Sequence, residues 1–387
     1  MGGAERTVQF IAESMGGAGY RAVVLSAAPG KDVRVEEVNG VQVYYIGLKN
    51  LFWPFPATGD LKPGKPLWAS WYALDMYNIW MAREVARIVD IERPNLIHTH
   101  NLFCFSTLVW QLAKQRGLPL VHTIHDYYLL CGRSTMFRNG KNCQPRCSAC
   151  RLCTLPKRYH SSSYVDSVVG VSHSVLERHL NNGYFASSAK KQVIYNSYGV
   201  TSDIQSSNAR SLPIRFGYLG RIGPDKGVEV LLNAVAYLPK ASWNLMIGGR
   251  GNVEYERYLR AKYESPAIKF LGIVQPADFF PEVDVLVVPS LWHDPSPRVV
   301  SEANAYGVPV IGSNRGGIPE LIEEGRTGFI FDPNRSEDLL TNMQRFVDTQ
   351  DIASVMRVAC LRRAKSMRPE SIFEQYLEVY DDTLGIV

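Results

Sequence analysis

After position 212 the chain carries six short runs rich in β-branched and aromatic residues: "IRFGYLG", "WNLMIGG", "IKFLGIV", "VDVLVVPS", "VPVIGS" and "GFIFD". Amphipathic stretches separate them, the alternation that builds a parallel sheet flanked by helices. The first half has the same texture. Strands are expected at Arg21–Ser26, Val41–Ile46, Asn95–His98, Pro119–Ile124, Ser167–Val171 and Gln192–Tyr195, and helices at Glu5–Met15, Trp68–Val89 and Ser172–Asn181. Between the two series, "NSYGVTSDIQSSNARSL" (Asn196–Leu212) is serine-rich and poor in apolar residues, as linkers are. A chain of 387 residues is also too long for one average core. The expectation is an α/β protein of two doubly wound domains, 1–198 and 213–366, with a linker at 199–212. Ligands in such folds bind at the carboxyl ends of the strands, which places the site in the cleft between the domains. The last stretch, 367–387, sets Phe373, Tyr376, Leu377 and Tyr380 on one helical face. It fits a helix that crosses back to the first domain, or one that closes the second.

The totals exclude several functions. A net charge of +5, spread along the chain, suits an anionic ligand and no nucleic-acid partner. No run of about 18 apolar residues is present, so no segment is expected to span a bilayer. No basic-then-apolar leader opens the chain, and a cytoplasmic, reducing setting follows as the expectation.

Two segments of the second half are suited to phosphate. In "FGYLGRIGPDKGVEVLLNAV" a strand ends at Gly220 and a helix begins near Lys226, with Arg221 between them. A guanidinium forks onto phosphate oxygens and an ammonium adds a point charge. No Gly-Lys-Ser/Thr ends the loop, so it is not a Walker A motif. The other segment, "HDPSPRVVSEANAYGVPV", starts at His293. Ser296 is a good N-cap and Pro297 suits the first helical position, giving a helix over 297–306. The free N–H groups of its first turn, on Arg298 and Val299, favour an anion. Asp294 and Glu302 flank that start, where they would repel phosphate but accept hydrogen bonds from hydroxyls. A sugar on one side and a ribose on the other would satisfy both. The plain alternative is a turn residue at Asp294 and an Arg298 partner at Glu302.

Together these segments resemble the family 4 glycosyltransferases of the GT-B fold, with two Rossmann-like domains facing a central cleft. "HDPSPRVVSEANAYGVPVIGS" is similar to the family's Glu-x7-Glu segment, "GRIGPDKG" to its phosphate loop, and "NRGGIPELIEEGRTGFIF" to the stretch that follows. "MGGAERTV" resembles the glycine loop, "VHTIHD" the strand end with the active-site histidine, and "VIYNSYGV" the interdomain crossover. The resemblance implies a retaining transfer of a sugar from a nucleotide donor to a hydroxyl, with no cofactor or metal required for the chemistry. Arg221 and Lys226 would hold the diphosphate and stabilise its developing charge. Glu302 would take the ribose hydroxyls. Asp294 would bind the donor sugar, aided by backbone N–H groups from Ser296 to Arg298. His125 would lie near the anomeric centre. Read from the residues alone, a histidine that ends the apolar strand of "VHTIHD" is a satisfied structural group whose tautomer the neighbouring Asp126 could fix, and His98, His100 and Asn101, at the end of another strand, line the same cleft. Gly2 and Gly3 would let backbone approach the diphosphate, and the base would lie near Gly249, Ile273 and Val274. A UDP-sugar, glucose or another hexose, is the donor expected.

The chain departs from the family pattern in three places. Asp294 stands where glutamate is more frequent, and its carboxylate reaches about 1.3–1.5 Å less far. Family members usually open on an apolar strand that leads into the glycine loop, whereas this sequence opens at Met1-Gly2-Gly3. Lacking that strand would leave neighbouring strand edges unpaired. Five of the seven cysteines crowd into "CGRSTMFRNGKNCQPRCSACRLC". Cys143, Cys147, Cys150 and Cys153 have the spacing of four thiolates on a structural zinc, with Cys131 able to replace one. Free or disulfide-bonded thiols and an iron–sulfur cluster are the alternatives.

The acceptor is expected on the first domain. "LFWPFPATGDLKPGKPLWASWYALDMYNIW" supplies Phe52, Trp53, Phe55, Trp68, Trp71, Tyr72, Tyr77 and Trp80. Such aromatics stack on sugars, sit at membrane interfaces, or simply fill a core. A glycan or lipid-linked saccharide of polysaccharide biosynthesis, met through weak peripheral contact with the inner membrane face, is the expectation. A non-catalytic nucleotide-sugar-binding subunit and a nucleotide-sugar epimerase are the alternatives.

Overall fold

The computed structural model describes residues 2–55, 63–198, 213–349 and 351–385. Met1 and the linker expected at 199–212 lie outside the described residues. The first half opens on α1 (Gly3–Gly17), followed by β1 (Val23–Ala28), β2 (Val33–Val38) and β3 (Val41–Gly47). β1 and β3 pair in parallel, and β2 runs antiparallel on the far side of β3. β2 was not expected, because "VRVEEV" is charged and mostly exposed, as an edge strand is. The single helix expected at Trp68–Val89 is two, α2 (Lys65–Met76) and α3 (Ile79–Glu92). They part where the Asn78 side chain accepts the Met81 N–H and caps α3.

The chain continues through β4 (Ile97–Thr99), α4 (Leu108–Gln115), β5 (Leu120–Ile124) and a small hairpin, β6 (Phe137–Arg138) and β7 (Lys141–Asn142). Then come α5 (Ser148–Cys153), α6 (Leu155–Tyr164), β8 (Ser167–Gly170), α7 (His173–Leu180) and β9 (Lys190–Val193). β4, β5, β8 and β9 make a second parallel sheet in that order. Among the described residues β1 and β4 each pair on one side only, so the two sheets of this half are separate. α1 covers both: Ile11 packs with Val121 and Val169, and Ala12 with Val41 and Val43.

The second half holds β10 (Ile214–Leu219), α8 (Val228–Val235), β11 (Trp243–Gly248), α9 (Val253–Tyr263), β12 (Ile268–Gly272) and α10 (Pro276–Phe279). After these come β13 (Val285–Val288), α11 (Arg298–Ala305), β14 (Val310–Ser313), β15 (Gly328–Phe331), α12 (Ser336–Asp348), α13 (Ile352–Lys365) and α14 (Pro369–Leu384). The sheet is parallel, in the order β12-β11-β10-β13-β14-β15. Every residue of β13 and β14 is buried, as expected of strands with helices on both faces. β10 and β13 are neighbours whose following connections leave toward opposite edges, which opens a crevice at their carboxyl ends. α14 packs on the first half. Tyr380 Oη lies 2.7 Å from His98 Nδ1, Thr383 Oγ1 lies 2.8 Å from Ser167 Oγ, and Tyr376 and Val379 are buried with Val121 and Val169.

Two core histidines give this fold a pH dependence. His122 and His179 are 3% and 0% exposed. His122 Nδ1 meets Thr99 Oγ1 at 2.9 Å, and His179 Nδ1–H donates to the Val175 carbonyl at 2.7 Å. Burial holds His122 well below its ordinary pKa and His179 at about 4. In the unfolded chain both protonate near pH 6.5. Their folded pKa values are depressed, so the stability they confer is intact above about pH 6.5 and is lost as pH falls toward 4, by up to about 1.4 kcal/mol per pH unit each. Denaturant midpoints measured between about pH 7.5 and 5 should fall, and His179→Leu should flatten the fall. A wild-type profile that stays flat over this interval contradicts the assignment.

Candidate active site

The loop that leaves β10 turns at Gly227, whose φ is +70°. A Cβ there would lie 1.9 Å from the Pro289 carbonyl oxygen, so glycine lets the turn press against the end of β13. That contact sets the lysine before it. Lys226 Nζ donates to Asp294 Oδ2 at 2.5 Å and sits 5.1 Å from the centre of the Trp292 ring. Arg221 lies in the same loop, exposed and paired with Asp225. Asp294 is 6% exposed. Its approach is fixed by backbone on two sides. The Asp225 carbonyl accepts from Leu291 N at 2.9 Å, and the Asp294 carbonyl accepts from Gly317 N at 2.8 Å. Gly316 has φ +60°, and a Cβ on it would come within 2.1 Å of the Asp294 carbonyl oxygen. The glycine pair of "NRGGIPE" is thus the floor on which the aspartate loop rests.

α11 starts one residue later than expected. Pro297 occupies the cap position with φ −71° and ψ 110°, and no side chain caps the helix. The expected Ser296 cap is therefore corrected. The extended proline sets Ser296 one position too far out, and its carbonyl accepts from Asn196 Nδ2 at 3.3 Å instead. The N–H groups of Arg298 and Val299 have no partner among the described residues, so the first turn keeps its affinity for an anion. Gly220, Lys226, Ser290, Asp294, Pro297 and Val299 line one recess at this point. Gly249, Ile273 and Val274 follow β11 and β12 at the same edge of the sheet; Gly249 N donates to Gly272 O at 2.6 Å, and Ile273 is exposed.

Glu302 faces the first half. Its carboxylate lies 3.9 Å from Arg298 Nε and 3.9 Å from Arg6 Nη1 of α1. Burial raises its pKa, with both guanidiniums opposing. Gly3 comes close as well, since a Cβ on it would sit 3.6 Å from Arg298 Cδ; one on Gly2 would meet only its own helix's Glu5. His125 stands at the end of β5 with its Nε2 2.9 Å from His100 Nδ1, and the two rings stack. Burial, with the Arg298 charge adding to it, lowers His125 to about 4, so the imidazole is neutral near pH 7. Asp126 does not set its tautomer: that carboxylate accepts from Tyr128 N at 2.7 Å, and burial raises it to about 6. The ring partner is His100. His98 bonds Thr123 and Tyr380, while His100, Asn101, His125 and Asp126 line a second recess.

Three side chains at the cleft were not legible in the sequence. Asn196 accepts from Thr7 Oγ1 at 3.1 Å while it donates to Ser296 O. The Glu320 carboxylate accepts from His173 N and Ser174 N, both at 2.7 Å, and so caps α7 from the opposite half. Asn142, in the β6–β7 hairpin, bonds the backbone on both sides of Trp292. None belongs to a periodic pattern; Glu320 and Asn142 make these bonds across the domain boundary, and Asn196 links Thr7 of its own half to Ser296 of the other.

In the cysteine loop, Cys131 Sγ and Cys150 Sγ are 3.9 Å apart, and Cys147 Sγ accepts from Cys150 N at 3.4 Å. Burial raises Cys150 to about 12 and also raises Cys143 and Cys153, while the hydrogen bonds from Cys150 lower Cys147. No group of three or more His, Cys, Asp or Glu side chains among the described residues is arranged to hold a metal ion as it stands. The aromatic stretch divides. Phe52, Trp68, Trp71 and Tyr72 pack with Phe103 in a core, and Trp71 is fully buried, whereas Phe55, Tyr77 and Trp80 are exposed. No helix among the described residues is long and apolar enough to cross a membrane.

Comparison with known proteins agrees with this architecture. Residues 1–198 match the family described as Glycosyltransferase Family 4, and residues 200–365 match Glycosyl transferases group 1. The chain is 30% identical over 387 residues to an uncharacterized 42.6 kDa protein in the cps region of Klebsiella pneumoniae, covering 98% of this chain and 96% of that one. A D-inositol 3-phosphate glycosyltransferase of Streptomyces scabiei is 25% identical, over 74% of this chain and 67% of its own length. Among solved structures, a sucrose-phosphate synthase from Thermosynechococcus elongatus aligns with TM-score 0.75 at 20% identity, covering 100% of this chain and 94% of that one. Anabaena HepE in complex with UDP-glucose aligns with TM-score 0.69 at 18% identity, covering 99% and 96%. The fold is that of the GT-B glycosyltransferases, and the chain belongs to glycosyltransferase family 4.

Proposed function

We propose that this glycosyltransferase moves a hexose from a UDP-sugar, with retention, to a hydroxyl of a glycan or lipid-linked saccharide. The observation that carries the reading is the Lys226–Asp294 pair at the β10–β13 crevice, next to the uncapped start of α11. When donor binds, the Lys226 ammonium engages the diphosphate together with Arg221 and the N–H groups of Arg298 and Val299, and stabilises the charge that grows there as the sugar leaves. The Asp294 carboxylate then accepts from the sugar hydroxyls. Glu302 takes the ribose hydroxyls, for which it must loosen its long contacts to Arg6 and Arg298. His125 is neutral and lies across the cleft, where it serves as a hydrogen-bonding group beside the anomeric carbon. The base lies against Gly249, Ile273 and Val274, and Gly2 and Gly3 border the diphosphate from the first half. HepE with UDP-glucose supports a UDP-hexose donor by likeness of fold. The exposed Phe55, Tyr77 and Trp80 are the surface proposed for a lipid-linked acceptor and for weak membrane contact.

For the cysteine loop, the proposal is a structural zinc drawn from Cys131, Cys143, Cys147, Cys150 and Cys153. It rests on the 3.9 Å separation of Cys131 and Cys150, close to the roughly 3.8 Å between two thiolates on a tetrahedral zinc with bonds of about 2.3 Å. Backbone N–H donation to Cys147 and Cys131 suits thiolate ligands. Elemental analysis after purification without added metal should find about one zinc per chain; its absence removes the proposal.

The donor assignment is tested at the aspartate. Asp294→Asn should lower sugar transfer by about 100-fold or more while UDP affinity stays within a few-fold, and Asp294→Glu should retain measurable transfer. Transfer by Asp294→Asn at the wild-type rate overturns the assigned role. Incubation of wild type with UDP-glucose and acceptor glycans should release UDP. Binding without release points to a non-catalytic subunit, and an altered sugar without free UDP to an epimerase.

A further inference from the structure

The segment that carries Asp294 is held from its own domain by Asp225 and by the Gly316–Gly317 turn. It is also held from the other. Asn142 Nδ2 donates to the Leu291 carbonyl at 2.8 Å, and Asn142 Oδ1 accepts from His293 N at 3.0 Å. One primary amide thus supplies both the donor and the acceptor that a paired strand would offer, and it spans Trp292 to do so. The Trp292 ring crosses with it, packing into the first-half core with its edge toward Tyr127 at 6.3 Å. Two residues after Trp292 comes Asp294, whose Oδ2 receives Lys226. Asn142 ends β7, a two-residue strand in the cysteine loop that pairs with β6, so its backbone is carried by the first half.

We infer that Asn142 is a positioning residue for Asp294: it fixes the backbone of the aspartate loop only when the two halves are docked, and so ties the grip on the donor sugar to closure of the cleft. The charged groups and helix start proposed for the phosphate do not need this tie, because Lys226, Arg221 and the start of α11 all belong to the second half, and Gly2 and Gly3 approach from α1 without Asn142. The inference rests on the donor reading above. It separates two events which that reading alone would treat as one: diphosphate binds without Asn142, whereas the sugar is oriented with it.

A truncated side chain at 142 leaves the Leu291 carbonyl and the His293 N–H without these partners and lets the loop shift by a fraction of an ångström, enough to misplace a carboxylate that must meet particular hydroxyls. The other bonds to the loop persist, so the fold is retained.

The test compares wild type with Asn142→Ala, Asn142→Asp and Asn142→Gln, using calorimetry with UDP and steady-state UDP release from UDP-glucose. Asn142→Ala should bind UDP within about twofold of wild type while kcat falls about tenfold or more. Asn142→Gln, which keeps both ends of the amide, should recover part of that loss. Asn142→Asp keeps the acceptor oxygen and loses the donor to Leu291, and should match Asn142→Ala; it carries the test if the alanine variant does not fold. A second readout needs no turnover: the extra thermal stabilisation that UDP-glucose gives over UDP should be present in wild type and absent in Asn142→Ala. Wild-type kcat in Asn142→Ala, or parallel loss of UDP affinity and kcat, overturns the inference. If wild type binds UDP-glucose more tightly than UDP yet releases no UDP, the transferase reading fails while the stabilisation difference still decides the role of Asn142.

Discussion

The ion pair between Lys226 and Asp294 is the contact around which the second half is arranged. Its two members are 68 positions apart, and their meeting at 2.5 Å requires β10 and β13 to be neighbours in the sheet. It also requires two close backbone approaches, at Gly227 against Pro289 and at Gly316 against Asp294. A buried carboxylate needs such a partner, because leaving it unpaired away from water costs several kcal/mol, on the order of 3–5. The pair therefore holds the crevice in shape, and it sets at one point the cation proposed for a diphosphate and the anion proposed for a sugar. The same low exposure that makes the pair necessary makes each charge effective toward a ligand.

The cleft is closed by contacts that run from one half to the other, and they differ in kind. Glu320 caps α7 with a carboxylate, Arg6 reaches Glu302 at a longer 3.9 Å, and Asn142 and Asn196 use neutral amides toward backbone. The charged contact at Glu302 is weak and adjoins the proposed ribose site, so it can yield to a ligand. The amide contacts do not compete with donor groups and can persist in the loaded state. α14 adds a third link by leaving the second half and packing Tyr376, Val379 and Tyr380 onto the first, where Tyr380 meets His98 beside the His100–His125 pair.

Much of the fold was legible because its central strands β5, β8, β13 and β14 are buried on both faces, and the last two read as the apolar runs "VDVLVVPS" and "VPVIGS". β2 was not, since its charged residues face solvent at an edge. The break between α2 and α3 was hidden as well: apolar periodicity continues through Tyr77 and Asn78, and only the capping bond at Asn78 ends the run. At the site, residue type and spacing drew attention to Arg221, Lys226, Asp294 and Glu302, and helical spacing also offered Arg298 as the neighbour of Glu302, but nothing announced the pairing of Lys226 with Asp294. The lysine and aspartate were assigned to different parts of a donor, and the structure brings them together first. Ser296 was misjudged as a cap because Pro297 takes that place, and Asp126 as the partner of His125 because Tyr128 N claims its carboxylate. Asn142 and Glu320 act only where two domains meet, and no local pattern announces such a role.

The β10–β13 crevice is proposed to hold a nucleoside diphosphate through Lys226. The direct measurement is thermal stabilisation by UDP, compared between wild type and Lys226→Ala. At about 100 times Kd a ligand that binds only the folded state adds about 2.7 kcal/mol of stability. UDP should raise the wild-type Tm by several degrees, and Lys226→Ala should lose most of that rise while keeping a cooperative transition. Equal stabilisation of both proteins by UDP would contradict this role of Lys226, as would a wild-type Tm that UDP, GDP and ADP all leave unchanged.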